Sequence, residues 1–431
     1  MPEQAPDIRN KNFLEVTMGY TAQMAIDEAQ RCLNCKHKPC MEGCPVSVKI
    51  PEFLSYMKDG DFEGAYKKIK ETNALPAICG RVCPQEKQCE SKCVRGIKGE
   101  AVAIGRLERF AADYHMANAD DEILKAQPNG KKVAVVGSGP SGLTAAGELS
   151  KRGYDVTVYE AFHTAGGVLV YGIPEFRLPK SVIDDLQYRH IELKGIKIRP
   201  NTRIGDAISI DDLFRDGYKA IFIGTGVWKP NSLHIKGETF GNVHFAINYL
   251  NNPDVYKLGE KVIIIGAGNA AMDVARTVLR KGSRKATCFS ITEKVAASDY
   301  EYSYAQLEGV KFKFNYKPVE IKDNGVIFSK VKEYEDGTLE EIEGTEEFFP
   351  ADSVIVSISQ GPRNVIAKAT KGLDVNDRGL LVADELGYTS RPGVFGSGDV
   401  VNGSRTVVEA VAHSKIVAET MHRYIESLQE E

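Results

Sequence analysis

Eight of the nine cysteines stand in two short runs, a spacing that lets several thiolates bind one soft metal centre. The first run reads C-x2-C-x4-C-x3-C-P, through Cys32, Cys35, Cys40, Cys44 and Pro45. The second reads C-x3-C-P-x4-C-x3-C, through Cys79, Cys83, Pro84, Cys89 and Cys93. A cysteine run closed by Cys-Pro is typical of iron–sulfur ligation. Zinc is the alternative, because C-x2-C alone also fits a zinc knuckle. Zinc sites usually pair two such knuckles, however, and the inner gaps here are three and four residues. A disulfide framework needs an oxidising compartment, and Met1–Pro6 shows no basic stretch leading into an apolar core. The thiols are therefore expected to be reduced and the chain cytoplasmic. Cys288 lies far from both runs.

Two glycine-rich turns carry the next chemistry. Gly137-Ser138-Gly139-Pro140-Ser141-Gly142 follows a buried-strand pattern, Lys132–Val136, and opens a helical pattern reaching about Arg152. The first glycine permits the tight turn, the second lets the backbone approach a pyrophosphate, and the third lets helix and strand pack closely. The helix N-terminus adds N–H donors and positive potential. Glu160 ends the next strand, Asp155–Glu160, where it is placed to accept from a ribose hydroxyl. Gly266-Ala267-Gly268-Asn269-Ala270-Ala271 repeats the arrangement between a strand at Lys261–Ile265 and a helix to about Lys281, with the next strand at Lys285–Ser290. Alanine is an accepted variant at the third position. These two dinucleotide folds are the internal repeat of the chain. Asp273, just inside the second helix, reads as a structural acid, with a cofactor-facing role as the alternative.

The elements that position these groups follow from length and periodicity. A chain of 431 residues suggests about three domains. A 42% hydrophobic content can fill their cores. The formal net charge of −4 argues against nucleic acid or an acidic membrane surface as partner. No apolar stretch approaches membrane-spanning length. Residues 1 to about 126 read as helical. Phe53, Leu54, Met57, Phe62, Ala65, Tyr66 and Ile69 recur at helical spacing, broken at Asp59-Gly60-Asp61. The cysteine runs are therefore expected on loops at the ends of a helical hairpin. A further helix, from about Val102 to Ala117, leads to a polar linker ending at Pro128-Asn129-Gly130. The expected organisation is a helical domain at 1–126, a dinucleotide domain in two parts (127–235 and 363–431), and a second dinucleotide domain at 236–362. The fold class is α/β, an all-helical N-terminal domain followed by two Rossmann-like domains.

Several segments carry a resemblance. Gly166-Gly-Val-Leu-Val-Tyr-Gly-Ile-Pro-Glu-Phe-Arg-Leu-Pro179, both cysteine runs, Cys79–Pro84 and Thr389-Ser-Arg-Pro-Gly-Val-Phe395 resemble the small (β) subunit of NADPH-dependent glutamate synthase. The resemblance extends over almost the whole chain. That family includes the large subunit of NADH-dependent ferredoxin:NADP oxidoreductase and the N-terminal part of dihydropyrimidine dehydrogenase. The resemblance implies a glutathione/adrenodoxin reductase-like fold with FAD, NAD(P)H and two [4Fe–4S] clusters. FAD would lie on the first glycine loop, with Gly167, Arg177, Thr225, Gly226, Gly398 and Asp399, the last on the ribityl chain. Thr406 and Val407 would begin a helix facing the flavin N1 region. NAD(P)H would lie on Gly266–Ala270, with Ser290 and Glu293 nearby. NADPH members carry an Arg-Arg pair at the strand end, and Phe289-Ser290 align there. Glu293 would repel a phosphate or bind a 2′-hydroxyl, so NADH is slightly favoured, with Arg280, Arg284 and Lys285 as the compensating alternative. The segment Lys330–Gly344 departs from the family, replacing a longer loop with a short hairpin.

The family also implies a crossed ligand set, with Cys32, Cys35, Cys40 and Glu108 on one cluster and Cys44, Cys83, Cys89 and Cys93 on the other. Cys79 is then spare; the alternative for Glu108 is a solvated acid on a helix face. Hydride would pass from NAD(P)H to FAD, and single electrons through the clusters to a partner. No catalytic side chain is implied. The chain has no room for a synthase barrel, so the partner implied is an FMN-containing glutamate synthase large subunit or a similar redox protein. A bifurcating or pyrimidine-reducing flavoprotein is the alternative within the fold. A non-redox interaction protein stapled by metal is the alternative outside it.

Overall fold

The computed structural model describes residues 1–118, 126–186 and 195–428; residues 119–125 of the expected linker lie outside them. The cysteine-bearing segment is helical: Ala22–Gln30, Ile50–Lys58, Phe62–Lys70, Pro76–Val82 and Ile104–Asn118. Its hairpin breaks at Asp59–Asp61, because the Asp61 carboxylate accepts from the Gly64 N–H (2.8 Å) and starts the next helix. Lys67, Lys68 and Lys70 close that helix, where cations suit its dipole.

Two five-stranded parallel sheets follow. The first runs Val394–Gly396, Tyr218–Ile223, Lys132–Val136, Asp155–Tyr159, Lys197–Arg199. The second runs Val243–Phe245, Ser353–Val356, Lys261–Ile265, Lys285–Phe289, Lys311–Lys313. Central strands such as Val133–Val136 and Val262–Ile265 are buried at every position, the pattern of parallel strands covered on both faces. The return of Val394–Gly396 to the first sheet makes that fold discontinuous in sequence. A small antiparallel sheet (Tyr316–Lys322, Gly325–Glu333, Leu339–Glu341, Glu347–Pro350) stands beside the second. Among the described residues, no helix is long and apolar enough to cross a membrane.

Two joints hold these parts together. One is apolar. The core of the cysteine domain (Phe53, Leu54, Ile69, Leu107) continues without a break into Leu169, Leu178, Ile183, Val408 and Val411 of the first dinucleotide fold. The other is charged. Glu308 accepts from Arg276 (2.9 Å) and Arg280 (2.6 Å) and pairs with Arg9 (3.0 Å). Glu301 pairs with Arg276 (2.6 Å) and Arg177 (2.9 Å), and Arg177 donates to Asp273 (2.7 Å). The Phe176 ring lies under the Arg280 and Arg276 guanidinium groups, at 3.9 and 4.6 Å. Asp273 is thus a structural acid. Burial pushes its carboxyl up, to about 6, against the pull of Arg177.

Removing one member of a buried pair strands the other charge, so Glu308→Gln should lower unfolding free energy by about 3–5 kcal/mol. Burial works to raise the Glu308 pKa, but bonds to Arg280 and Arg276 outweigh it and the net shift is downward. The stabilisation is therefore complete above the ordinary carboxylate value and fades as pH falls through the lowered one. Thermal denaturation of wild type and Glu308→Gln should differ most near neutrality and converge only once the pH has fallen below the lowered carboxyl value. A constant difference across that range would count against this assignment.

Candidate functional site

The first glycine loop turns at Gly137, whose φ of +100° suits glycine, and Gly137 N–H donates to Tyr159 O (2.8 Å). A Cβ on Gly142 would lie 1.9 Å from Gly137 O, so helix Pro140–Ser150 can close on its strand only with glycine there. A Cβ on Gly139 would meet nothing within 4 Å, which leaves that side open to a ligand. Glu160 ties the loop down: its carboxylate accepts from Ser138 N–H (3.0 Å), the Ser138 hydroxyl and Phe162 N–H (2.8 Å).

The loop opens into a cleft of about 370 Å³ lined by Gly137–Ser141, Glu160, Gly167, Thr225, Gly226, Asp399, Thr406 and Val407. Thr406 caps the helix Val407–Ser427 in a reciprocal pair with Glu409, which aims that helix N-terminus at the cleft. Burial pushes Asp399 up, to about 6, while a bond from Arg405 N–H (3.2 Å) works against the rise. The cleft combines helix N-termini, the guanidinium-bearing Arg203, Arg363 and Arg405, and an apolar wall of Val168, Trp228 and Ile247. That donor set fits a dinucleotide with a pyrophosphate and a flat ring system. The three arginines and Trp228 went unread in the sequence. Arg405 adjoins Thr406 and Trp228 follows Gly226 closely, but nothing local signals that these loops converge.

Three expected residues stand elsewhere. Gly142 packs between helix and strand, and Gly398 lies behind Asp399 in a neighbouring groove. Arg177 does not line the cleft, because it is held in the buried pairs with Asp273 and Glu301.

The second loop repeats the geometry. Gly266 has φ +127°, and a Cβ there would lie 2.2 Å from Ser357 O; Gly268 again faces open space. Asn269 accepts from Ser298 N–H (2.9 Å), which fixes the loop against the start of helix Asp299–Leu307. Ser290 lies at the strand end, and Glu293 N–H donates to Glu333 (2.8 Å). Phe289, at the strand end aligned with the phosphate-selecting position, presents no side chain to a phosphate. Its ring is buried, stacked on Phe328 at 4.0 Å and edge-on to Phe349, so it faces the core. The exposed turn beyond the strand is Ile291–Glu293. Nor do the three cations named from the sequence compensate. Arg280 is committed to Glu308, and Arg284 and Lys285 stand at the opposite end of the strand Lys285–Phe289.

The cysteines form two groups, partitioned differently from the expectation. Cys32, Cys35, Cys40 and Cys93 line one small pocket. Burial and the neighbouring Cys32 and Cys93 push Cys40 up, to about 11. Cys44, Cys83 and Cys89 all feel the charge of Glu108, and Cys79 is hydrogen-bonded to Cys83 within the same group. Cys93 and Glu108 have therefore exchanged places. The cause is helix packing: a Cβ on Gly80 would lie 2.6 Å from Arg109 N, so helix Ile104–Asn118 sits hard against Pro76–Val82 and brings Glu108 to the Cys79–Cys83 side. Glu108 is buried, which pushes its carboxyl up to about 7 against a bond from Asn73 (2.6 Å). The Asn73 carbonyl accepts from Cys79 (3.6 Å).

The first run bends through left-handed residues at Asn34 (φ 47°), Lys38 (46°) and Ser47 (50°), sharp turns that non-glycine residues adopt only under strain. Among the described residues, no three His, Cys, Asp or Glu side chains are arranged to hold a metal ion. A four-iron cluster takes each thiolate at a separate iron, and two all-soft or mostly soft donor sets suit it.

A family model described as dihydropyrimidine dehydrogenase domain II, 4Fe-4S cluster, matches residues 9–120. One described as pyridine nucleotide-disulphide oxidoreductase matches residues 96–215 and 131–414. The glutamate synthase [NADPH] small chain of Escherichia coli K12 is 32% identical, over 99% of this chain and 96% of its own. The NAD-dependent dihydropyrimidine dehydrogenase subunit PreT of Salmonella typhimurium is 33% identical, over 99% of each. Mycobacterium tuberculosis FprA in complex with NADPH shares the fold at TM-score 0.58 and 17% identity, over 70% of this chain and 86% of that one. The thioredoxin reductase of T. acidophilum does so at TM-score 0.53 and 21% identity, over 69% and 99%.

If the two cysteine groups are two cluster sites, Cys93→Ala should disturb the same EPR signal of the reduced protein as Cys32→Ala. Glu108→Ala should disturb the signal that Cys44→Ala disturbs. Grouping of Cys93 with Cys44 in those spectra would restore the other partition.

Proposed function

This chain belongs to the family of NAD(P)H-dependent iron–sulfur flavoproteins that holds the glutamate synthase small chains and the PreT subunits, and we propose that it is an electron-input subunit serving an FMN-containing glutamate synthase large subunit. The observation that supports this reading is the shared core. Val407 lines the cofactor cleft and packs on the same apolar core as Cys40, Cys44, Cys83 and Cys93. Bound FAD supplies hydride acceptance from the nicotinamide, and 4Fe–4S clusters supply one-electron steps.

The chain's own residues bind and orient. Gly137–Ser141 and the helix they open present N–H donors to one dinucleotide, and Gly266–Ala270 do so for the other. The capped N-terminus at Thr406–Val407 places positive potential at the cleft wall. Cys32, Cys35, Cys40 and Cys93 would hold one cluster, and Cys44, Cys83, Cys89 and Glu108 the other, with Cys79 spare. No side chain need move a proton for hydride transfer, so none is assigned a catalytic role.

The nucleotide assigned is NADH. The turn Ile291–Glu293 offers no guanidinium to a 2′-phosphate, and the carboxylate of Glu333 already occupies the Glu293 N–H. A second reading has its own support. The PreT alignment spans 434 positions for this 431-residue chain, against 461 for the glutamate synthase small chain. A pyrimidine-reducing partner is that reading.

Co-purification and substrate choice separate the two. Oxidation of NADH by the complex with glutamine plus 2-oxoglutarate supports the first, and with uracil or thymine the second. For the nucleotide, kcat/KM should favour NADH over NADPH by about tenfold or more. Ile291→Arg/Thr292→Arg should narrow that ratio, whereas Phe289→Arg should destabilise the protein by several kcal/mol by burying a charge. Preference of the wild type for NADPH would overturn the assignment.

A further inference from the structure

The two cysteine groups differ in their access to solvent. One mixes partly exposed Cys44 and Cys83 with buried Cys89 and Cys79, whereas all four members of the other, Cys32, Cys35, Cys40 and Cys93, are partly exposed. The pocket they line is rimmed by the loops that carry them. Leu33 and Val94 on that rim are 55% and 37% exposed, and Ile97, three residues beyond Val94, is 77% exposed. Exposed aliphatic side chains so close together around a functional group mark a contact surface.

The charge of the same loops is distinctive. Residues 31–40 and 91–100 carry six basic side chains (Arg31, Lys36, Lys38, Lys92, Arg95, Lys98) and one acid, Glu100, in a chain whose formal net charge is −4. Arg31 is occupied by Glu28 and by the carbonyls of Glu100 and Ala101, and Lys38 lies near Glu52. Lys36, Lys92, Arg95 and Lys98 make no ion pair among the described residues. These loops are far apart in sequence, yet Lys38, Lys92 and Arg95 line the same pocket as the cysteines. An apolar centre with a charged rim is the anatomy of a transient protein interface, and a cationic rim is completed by an acidic one. A nucleic acid fits less well, because the centre of the patch is aliphatic and offers no aromatic ring for base stacking.

We propose that the mouth of the Cys32/Cys35/Cys40/Cys93 group is the docking face for the redox partner, and that the partner presents an acidic rim around an apolar centre over its own one-electron group. This rests on the electron-input reading and adds to it where electrons leave and what charge receives them. One NADH yields two electrons, so two one-electron acceptors are reduced for each NADH oxidised to NAD⁺, with one proton released.

The test uses the cofactor-loaded full chain and two probe proteins of opposite charge: rubredoxin, a small acidic one-electron carrier, and the basic cytochrome c. Binding of each oxidised probe is measured calorimetrically, and NADH-driven reduction of each is followed beside reduction of ferricyanide. The wild type should bind rubredoxin in preference to cytochrome c, and the affinity should fall about tenfold between low and high salt. The variant Lys36→Glu/Arg95→Glu/Lys98→Glu should lose rubredoxin binding about tenfold or more and shift preference to cytochrome c. Its ferricyanide reduction, measured at high salt where the charge of that anion is screened, should be unchanged, as should both properties of the control Lys219→Glu/Lys257→Glu/Lys311→Glu. Binding of neither probe, salt-independent binding, preference of the wild type for cytochrome c, or displacement of rubredoxin by an RNA oligonucleotide would each overturn the proposal. The salt series needs no variant and stands even if the triple variant loads iron poorly. Failure of NADH to reduce ferricyanide would instead overturn the electron-input reading, independently of the binding data.

Discussion

The arrangement depends on one buried set of charges. Arg9, Arg177, Arg276 and Arg280 meet Asp273, Glu301 and Glu308 away from water, with Glu3 at the edge. Ions in such a place give up hydration worth several kcal/mol each, and recover it only where every partner is in position. That makes the lattice a poor source of net stability and a strict source of geometry. Its members come from the N-terminal segment, the Gly166–Pro179 stretch, the helix Asn269–Arg280, and the helix Asp299–Leu307 with Glu308 at its end. The helix Asn269–Arg280 begins at the second glycine loop. Whatever orients Asp273, Arg276 and Arg280 therefore also orients the second dinucleotide site toward the first.

The apolar joint performs the matching task on the other side. Leu169, Leu178, Val408 and Val411 belong to the first dinucleotide fold, yet they complete the core of the cysteine domain. The cofactor cleft and the cysteines thus share a wall made of packed side chains, which are close-packed and resist displacement. With the strained turns at Asn34, Lys38 and Ser47, this holds thiols from distant loops in two compact groups. One group includes the buried Cys89 and Glu108 and the other has no buried member, an asymmetry that gives the domain an inner and an outer side.

Much of this was legible from the chain alone because it is local. Glycine spacing, strand composition, the Asp61 break and the helix beginning after Thr406 involve residues a few positions apart, and their conformational and capping preferences act within a turn. The soft-donor character of Cys32–Cys93 is likewise a property of composition. What escaped was the matching of distant segments. Arg177 carries a guanidinium suited to phosphate, but its carboxylate partners lie 96 and 124 residues onward, and no local pattern announces them.

The same division decides the site. Sequence by itself determined which chemical groups are present and which turns can present them, since residue type and short-range sterics settle both. Tertiary structure alone decided that Cys93 joins Cys32, Cys35 and Cys40, that Glu108 joins Cys44, Cys83 and Cys89, and that Phe289 turns inward onto Phe328. Those outcomes follow from helix Ile104–Asn118 closing on Gly80 and from an aromatic core that only folding assembles. Packing between segments far apart in sequence sets them, because side chains compete for the same enclosed space and no short stretch carries the result of that competition.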